Sequence, residues 1–233
     1  LNVVDFSSEM KISIYRRNAI SLHSMHLFPG NPIPSELIKR ASLLPDQEKV
    51  LWEVADDLMS NSSYGKFRIV ELPSSWSSLD MKSYVESLPF KVDIVFIDYG
   101  THVKSSKSYR NENFEFEQLM QDFKNFALET YEEGIVVIDC HQINRQGRDR
   151  AEKSEQYTLR DLSMTAGSER AADTVIYSLL LSKYREQNEV RLGIIKNREG
   201  QILPEGFMAF WNFPYSLIDN IAEAAPQITS IDL

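Results

Sequence analysis

Cysteine is nearly absent. Cys140 is the one cysteine in 233 residues, so an internal disulfide is excluded and a reducing compartment is expected. No apolar run reaches the roughly 18 residues of a membrane span, and no leader with a basic start, apolar middle and small-residue end opens the chain, so neither membrane insertion nor a signal peptide is expected. Basic residues are in the minority, 25 Lys and Arg against 34 Asp and Glu, for a net charge of -9. That balance excludes a uniformly positive surface; contact with a polyanion has to come from a local basic loop. Internal repeats and low-complexity tracts are missing. So is an initiating methionine: the sequence opens on Leu1 inside a strand-like stretch, residues 2–6, as expected of a fragment or of a chain with an upstream part. Asn61-Ser62-Ser63 matches a glycosylation sequon, which means little in a cytosolic chain.

What is present suffices for one sizeable core, since 42% of the residues are hydrophobic and α/β domains of this length are ordinary. The periodicity places a strand over 2–6 and a helix from about Lys11 with Ile12, Tyr15, Ala19, Leu22 and Met25 at 3.6-residue spacing. A Pro-rich loop over 28–34 precedes helices over 35–42 and 45–60. A strand over 67–72 and a helix over 79–88 follow. The central stretch is Val92 to Arg145. Val92-Asp93-Ile94-Val95-Phe96-Ile97-Asp98 reads as a buried strand ending in acid, residues 113–132 as an amphipathic helix burying Phe116, Leu119, Met120, Phe123, Phe126, Ala127 and Tyr131, and residues 134–139 as a second apolar strand. Polar loops are expected over 100–110 and 142–159, then strands over 173–181, 189–195 and 202–211. Strands alternating with helices early and following one another late predict an α/β fold with a mostly parallel central sheet, antiparallel edge strands and helices on both faces. One domain is expected over 1–221, with a mobile tail over 222–233.

In open α/β sheets ligands sit at the carboxyl ends of the strands. Four polar groups leave such ends: Glu9, Asp98, Gln142, and the pair Lys196 and Arg198. Asp98 after four apolar residues is the Walker B pattern, the usual place to hold a metal-bound nucleotide phosphate. Each group also has a structural reading, as a solvated loop carboxylate, a paired strand-end acid, a loop cap or hairpin surface charge. His23-x-x-His26 has metal-like spacing but no partner cluster. Cys140 and the tryptophans Trp52, Trp76 and Trp211 read as packing residues.

In combination these segments resemble DnaB-type hexameric replicative DNA helicases. Ser7-Ser8-Glu9-Met10 is similar to their Ser-Leu-Glu-Met, Ile97-Asp98-Tyr99 to their Walker B, and Gln142-Ile143-Asn144-Arg145 to their Gln-Leu-Asn-Arg. Asp161-Leu162, the 169–173 segment and Lys196-Asn197-Arg198-Glu199-Gly200 keep the order of that family's Asp-Leu, Asp-Ala-Asp and Lys-x-Arg-x-Gly. The resemblance covers residues 2–210. It implies the C-terminal RecA-like motor domain, a P-loop NTPase core, with ATP and Mg²⁺ as cofactors. Glu9 would then position the attacking water and Asp98 hold the Mg²⁺ shell through water. Gln142, or His141 beside it, would sense the γ-phosphate. Arg198 with Lys196 would act as an arginine finger on the next subunit of a hexameric ring. Single-stranded DNA would be gripped by Lys104 and Lys107 of one loop and by Arg145, Arg148, Arg150, Arg160 and Arg170 of the other. A primase or helicase loader would be a further partner, the setting a bacterial or phage-infected cytoplasm.

Two departures qualify the resemblance. Nine glycines nowhere form Gly-x4-Gly-Lys-Ser/Thr, the backbone cradle for phosphates; in the family that loop lies just upstream of the Ser-Leu-Glu-Met segment. It is expected ahead of Leu1, the alternative being a non-hydrolysing RecA-fold ring or helicase-interaction protein. If its strand were lost, the sheet should show an open slot in its middle. Ser163-Met164 also stands where the family has Arg-Glu after Asp-Leu, which shifts the expected DNA grip to Arg160 or Arg170.

Overall fold

The computed structural model describes residues 1–107, 109–143, 145–161 and 170–221. Asn144, the stretch with Leu162, Ser163, Met164 and Glu169, and the tail over 222–233 lie outside them. The chain divides into two compact units, one of Leu1–Tyr15, Ser60–Gly147 and Leu159–Asp173, the other of Arg16–Met59, Arg148–Thr158 and Thr174–Leu233.

The first unit is built on four parallel strands, β1 (Val3–Ser7), β2 (Phe67–Glu71), β3 (Ile94–Asp98) and β4 (Val136–Asp139), in the order β2-β1-β3-β4. Alternation decides which face is core. Val4 and Phe6 of β1, and Val95 and Ile97 of β3, are fully buried on one face. They meet Met81 and Val85 of the helix Ser78–Glu86, and Leu119, Met120, Phe123 and Phe126 of the helix Glu112–Glu129. The latter four recur at helical spacing, so one stripe faces the sheet, each buried side chain contributing about 1.5–3 kcal/mol. Phe6 also meets Trp76 and Tyr84 edge-on, at 6.2 and 5.8 Å. Phe116 and Tyr131 pack at the rim of this core, and Ala127 is half-buried. Gly134, at φ +75°, turns the chain from helix to β4 where a Cβ would come within 2.7 Å of the Ala127 carbonyl.

No open slot interrupts this sheet: β3 pairs directly with β4, from Ile94 opposite Val136 to Ile97 opposite Asp139. The ladder bonds that a missing central strand would leave unpaired are therefore made.

The second unit carries an antiparallel ladder of β5 (Thr174–Leu179), β6 (Glu189–Asn197), β7 (Leu203–Asn212) and β8 (Leu217–Asp219), in that order. In β5, Val175, Tyr177 and Leu179 are buried while their neighbours are exposed, the period of two of a one-sided strand. The expected antiparallel strands thus exist, but they hydrogen-bond among themselves in a separate sheet of the described residues rather than along an edge of the parallel one. This unit also holds Pro45–Ser60, whose Val50 and Val54 cluster with Ile33.

Two expectations are corrected. The stretch read as a polar loop over 142–159 contains a helix, Arg145–Ser154. Its sequence offers no apolar stripe; Ala151 alone is an apolar residue buried from it, and Gly147 sits so close to Asp161 that a Cβ would come within 2.6 Å of that residue's carbonyl oxygen. Trp52 does not pack inside: it is 71% exposed on the outer side of Pro45–Ser60, because the inward stripe of that helix is taken by Val50 and Val54. Trp76 packs as described, and Trp211 stacks on Phe213 at 4.0 Å.

Candidate active site at the carboxyl edge of the parallel sheet

The register of the parallel strands brings their last residues level, with Ser7 opposite both Glu71 and Asp98. The segments that leave β1, β3 and β4 therefore meet at one edge of the first unit. Ser8 ties the first two together. Its amide and hydroxyl both donate to the Asp98 carbonyl, at 2.7 and 2.9 Å, and its oxygen accepts from the Tyr99 amide at 2.9 Å. With that one hydroxyl proton committed, His102 Nδ1, 2.7 Å away, is the donor to Ser8. From β4, Asp139 Oδ1 accepts from the Gly100 amide at 3.0 Å, Asp139 Oδ2 pairs with His141 Nε2, and Gln142 Nε2 donates to the Tyr99 hydroxyl. His141 rests edge-on against Phe116 at 5.6 Å. An open cavity of about 430 Å³ is walled by Glu9, Tyr99, His102, Glu112, His141 and Gln142, among others.

Four of the residues expected from sequence are thus in one place: Glu9, His141 and Gln142 on the cavity wall, and Asp98 beneath them on β3, bonded by the Tyr15 hydroxyl at 3.4 Å. The charges here oppose one another. Burial, and after it the neighbouring Glu9 and Asp139, push the Asp98 carboxyl above the ordinary carboxylate range. Asp5, one turn of the pleat below, is pushed up to about 6, by burial first and by Asp98 second. Burial, and then Asp98, Asp139 and Asp5, lift the Cys140 thiol to about 11, which leaves it protonated at neutral pH and inert as a nucleophile.

Such a set of buried and repelling carboxylates suits a hard divalent cation. Among the described residues no group of three or more His, Cys, Asp or Glu could form a metal cage. That fits Mg²⁺, which keeps several waters and takes one or two carboxylates alongside substrate phosphates; Asp98 is the residue that would hold it.

Lys196 and Arg198 belong to the second unit, at the end of β6 and in the turn after it. Lys104 and Lys107 are exposed on the segment after β3. The Lys104 amide bonds the Trp76 carbonyl at 3.0 Å. Arg145, Arg148 and Arg150 are exposed on the helix Arg145–Ser154, with Arg148 3.6 Å from Glu152, and Arg160 and Arg170 are exposed as well. His23 Nε2 is paired with Asp57 Oδ2 at 2.7 Å. Sequence reasoning missed Asp5, Tyr15, Ser8, His102 and Asp139. Of these Asp139 carried a readable signal, since it follows Ile-Val-Val-Ile just as Asp98 follows Ile-Val-Phe-Ile.

A parallel α/β sheet with a Walker B acid, a carboxylate on the next strand and amide and imidazole groups on the other neighbour is the site of a RecA-like nucleotide-driven motor. The model of the DnaB-like helicase C-terminal domain matches residues 3–210, and the chain belongs to that family. Its function is that of a replicative-helicase motor domain. Two solved structures are similar at 21% identity and a TM-score of 0.77 each. One is a helicase ATPase domain, with 94% of this chain matched to 74% of that one. The other is a DnaB-like replicative helicase described with its interactions with primase, with 94% of this chain matched to 50% of that one. No curated protein matches the sequence. Among the described residues no helix is long and apolar enough to cross a membrane.

Proposed function

We propose that this chain supplies the water-positioning, metal-holding, sensing and finger residues of an ATP site that lies between subunits, and that hydrolysis there drives translocation on single-stranded DNA and duplex unwinding. The observation that carries this reading is the meeting of Glu9, Asp98, His141 and Gln142 at the carboxyl ends of three adjacent parallel strands. Bound ATP with Mg²⁺ brings the transferable phosphoryl group and the charge neutralisation that phosphoryl transfer needs. Glu9 accepts a hydrogen bond from the attacking water and orients it. Asp98 holds the ion's water shell, which relieves the repulsion it suffers from Glu9 and Asp139. Gln142, hydrogen-bonded to Tyr99, and His141 read the terminal phosphate. Arg198, helped by Lys196, stabilises charge on the nucleotide of the neighbouring subunit in a hexameric ring. The Gly-Lys-Ser/Thr phosphate cradle is supplied from outside these 233 residues.

Lys104, Lys107, Arg145, Arg148, Arg150, Arg160 and Arg170 grip the DNA backbone, their exposure supporting a local basic track on an acidic molecule. A primase contact, described for the similar DnaB-like helicase, or a loader completes the partner set, in a bacterial or phage-infected cytoplasm.

The test is steady-state ATPase of the native full chain, with its intact mass and N-terminal sequence determined. Turnover stimulated by single-stranded DNA is expected. Glu9→Gln should lower kcat by about 100-fold or more, the scale of a lost proton-handling group, with nucleotide affinity within a few-fold. A native chain that starts at Leu1 and turns over no ATP would leave a non-hydrolysing RecA-fold interaction protein instead.

A further inference from the structure

Asp139 has a place in this site that its neighbours do not explain. It is the last residue of β4, and its two oxygens serve two different segments. Oδ1 accepts from the Gly100 amide at 3.0 Å, the first residue of the segment that leaves β3 toward Lys104 and Lys107. Oδ2 pairs with His141 Nε2. A carboxylate only accepts, so this contact puts the ring proton on Nε2 and leaves Nδ1 as the remaining acceptor of a neutral His141. The ring cannot swing aside, because Phe116 meets it edge-on from the helix Glu112–Glu129.

Gly100 is shaped to this carboxylate. A Cβ at position 100 would stand 2.3 Å from Asp139 Oδ1 and 2.7 Å from its Cγ, so no larger residue fits while Asp139 is there. The side chain at 139 and the lack of one at 100 are complementary, and together they close a continuous path from His141 through Asp139 to the backbone of Gly100. The path goes on: Tyr99, beside Gly100, accepts from Gln142 and donates its amide to Ser8.

We infer that Asp139 is a positioning residue that locks His141 in one tautomer and fastens the phosphate-reading end of β4 to the root of the basic segment after β3, so that the two respond to nucleotide as one piece. This rests on the ATP-driven reading given above, and it adds the route by which the nucleotide end reaches one of the DNA-gripping segments. Metal-ligating histidines are held by a carboxylate in the same manner, and removing such a partner lowers activity without removing the ligand.

Two substitutions separate the two oxygens' tasks. Asp139→Asn keeps an acceptor for the Gly100 amide but offers His141 an N–H, which forces the other tautomer, as an aspartate-to-asparagine change does in a catalytic triad. Asp139→Ala removes both. Nitrogen-15 spectra of the imidazoles and hydrogen exchange of the Gly100 amide, taken on the native full chain without nucleotide, need no turnover. The inference expects Nε2-protonated His141 in the wild type and a changed pattern in Asp139→Asn. It expects Gly100 exchange to rise about tenfold or more in Asp139→Ala and to stay slow in Asp139→Asn. In steady state, Asp139→Asn should lower the DNA-stimulated kcat by about 10- to 100-fold with KM within about twofold, the mark of an interaction used in the transition state and not in ground-state binding. An unchanged His141 pattern in Asp139→Asn, or unchanged Gly100 exchange in Asp139→Ala, overturns the inference. A wild type that shows both signatures but no ATP turnover overturns the ATPase reading and not the positioning role of Asp139.

Discussion

Asp5 shows how much free energy a single carboxyl can withhold from a fold. It sits in the middle of β1, 8% exposed, with Oδ1 buried and without a hydrogen-bond partner. Burial and the nearby Asp98 keep its proton on to about pH 6, whereas an unfolded aspartate releases it near 3.9. Between those values the folded chain holds a proton that the unfolded chain has given up. Stability therefore falls as pH rises through this window, and the loss is complete above it. Roughly two pH units correspond to about 3 kcal/mol, an upper figure because Asp98 shares the effect. Asp5→Asn, which cannot ionise, should raise the urea-unfolding free energy at pH 7.5 by about 1–3 kcal/mol and change it little at pH 4. An equal change at both pH values would show that the gain is one of packing and not of charge.

At the scale of elements, legibility followed apolar patterning. The helix Pro45–Ser60 was readable to its ends, because Pro45 suits the first turn and Asp46 and Glu48 the positive end of the dipole. β1 and β3 were readable because they are short apolar runs that end in a hydroxyl and an acid. Arg145–Ser154 was not, since a helix that buries little besides Ala151 has no stripe to find. β8 is three residues long, too short for any period. The site followed the same division: strand-end acids announce themselves, whereas the link from Asp139 to Gly100 joins residues 39 positions apart and exists only once the strands are aligned. The segment after β3 is another such case. Asp122, buried on the helix Glu112–Glu129, accepts from the Ser106 amide at 2.6 Å, the Ser106 hydroxyl at 2.8 Å and Gln118 at 2.8 Å. A carboxylate with this many donors is a pin, since each such charge-assisted bond contributes about 1.5–3 kcal/mol. Asp122→Ala should release the segment locally. Trypsin cleavage after Lys104 and Lys107 should speed up by about tenfold or more, because proteolysis tracks the open population. Unchanged cleavage would mean that the Trp76 carbonyl, which holds the Lys104 amide, suffices to keep the segment down.

For the whole molecule, the decisive question is whether the finger residue works on its own subunit's nucleotide or on the next one. Glu9 and Asp98 lie in one compact unit and Arg198 in the other, and a finger supplied across a heterologous interface requires a closed ring. Mixing two inactive variants separates the possibilities. An Arg198→Ala subunit keeps its own Glu9 and lacks a finger to offer; a Glu9→Ala subunit has a dead site and an intact finger. If the finger acts in trans, an Arg198→Ala subunit beside a Glu9→Ala subunit on its finger side regains a complete site. Random mixing in equal parts then restores roughly a quarter of the interfaces, and ATPase reappears from two preparations that each have almost none. Each variant alone should bind nucleotide nearly as the wild type does, and Arg198→Ala alone should lose about 10³-fold or more in turnover, the scale of a missing arginine finger. If the finger acts in cis, every subunit in the mixture carries one lesion and activity stays absent at any ratio. Reappearance that depends on total protein concentration, rising as rings assemble and exchange subunits, would establish the oligomer and the shared site in one measurement.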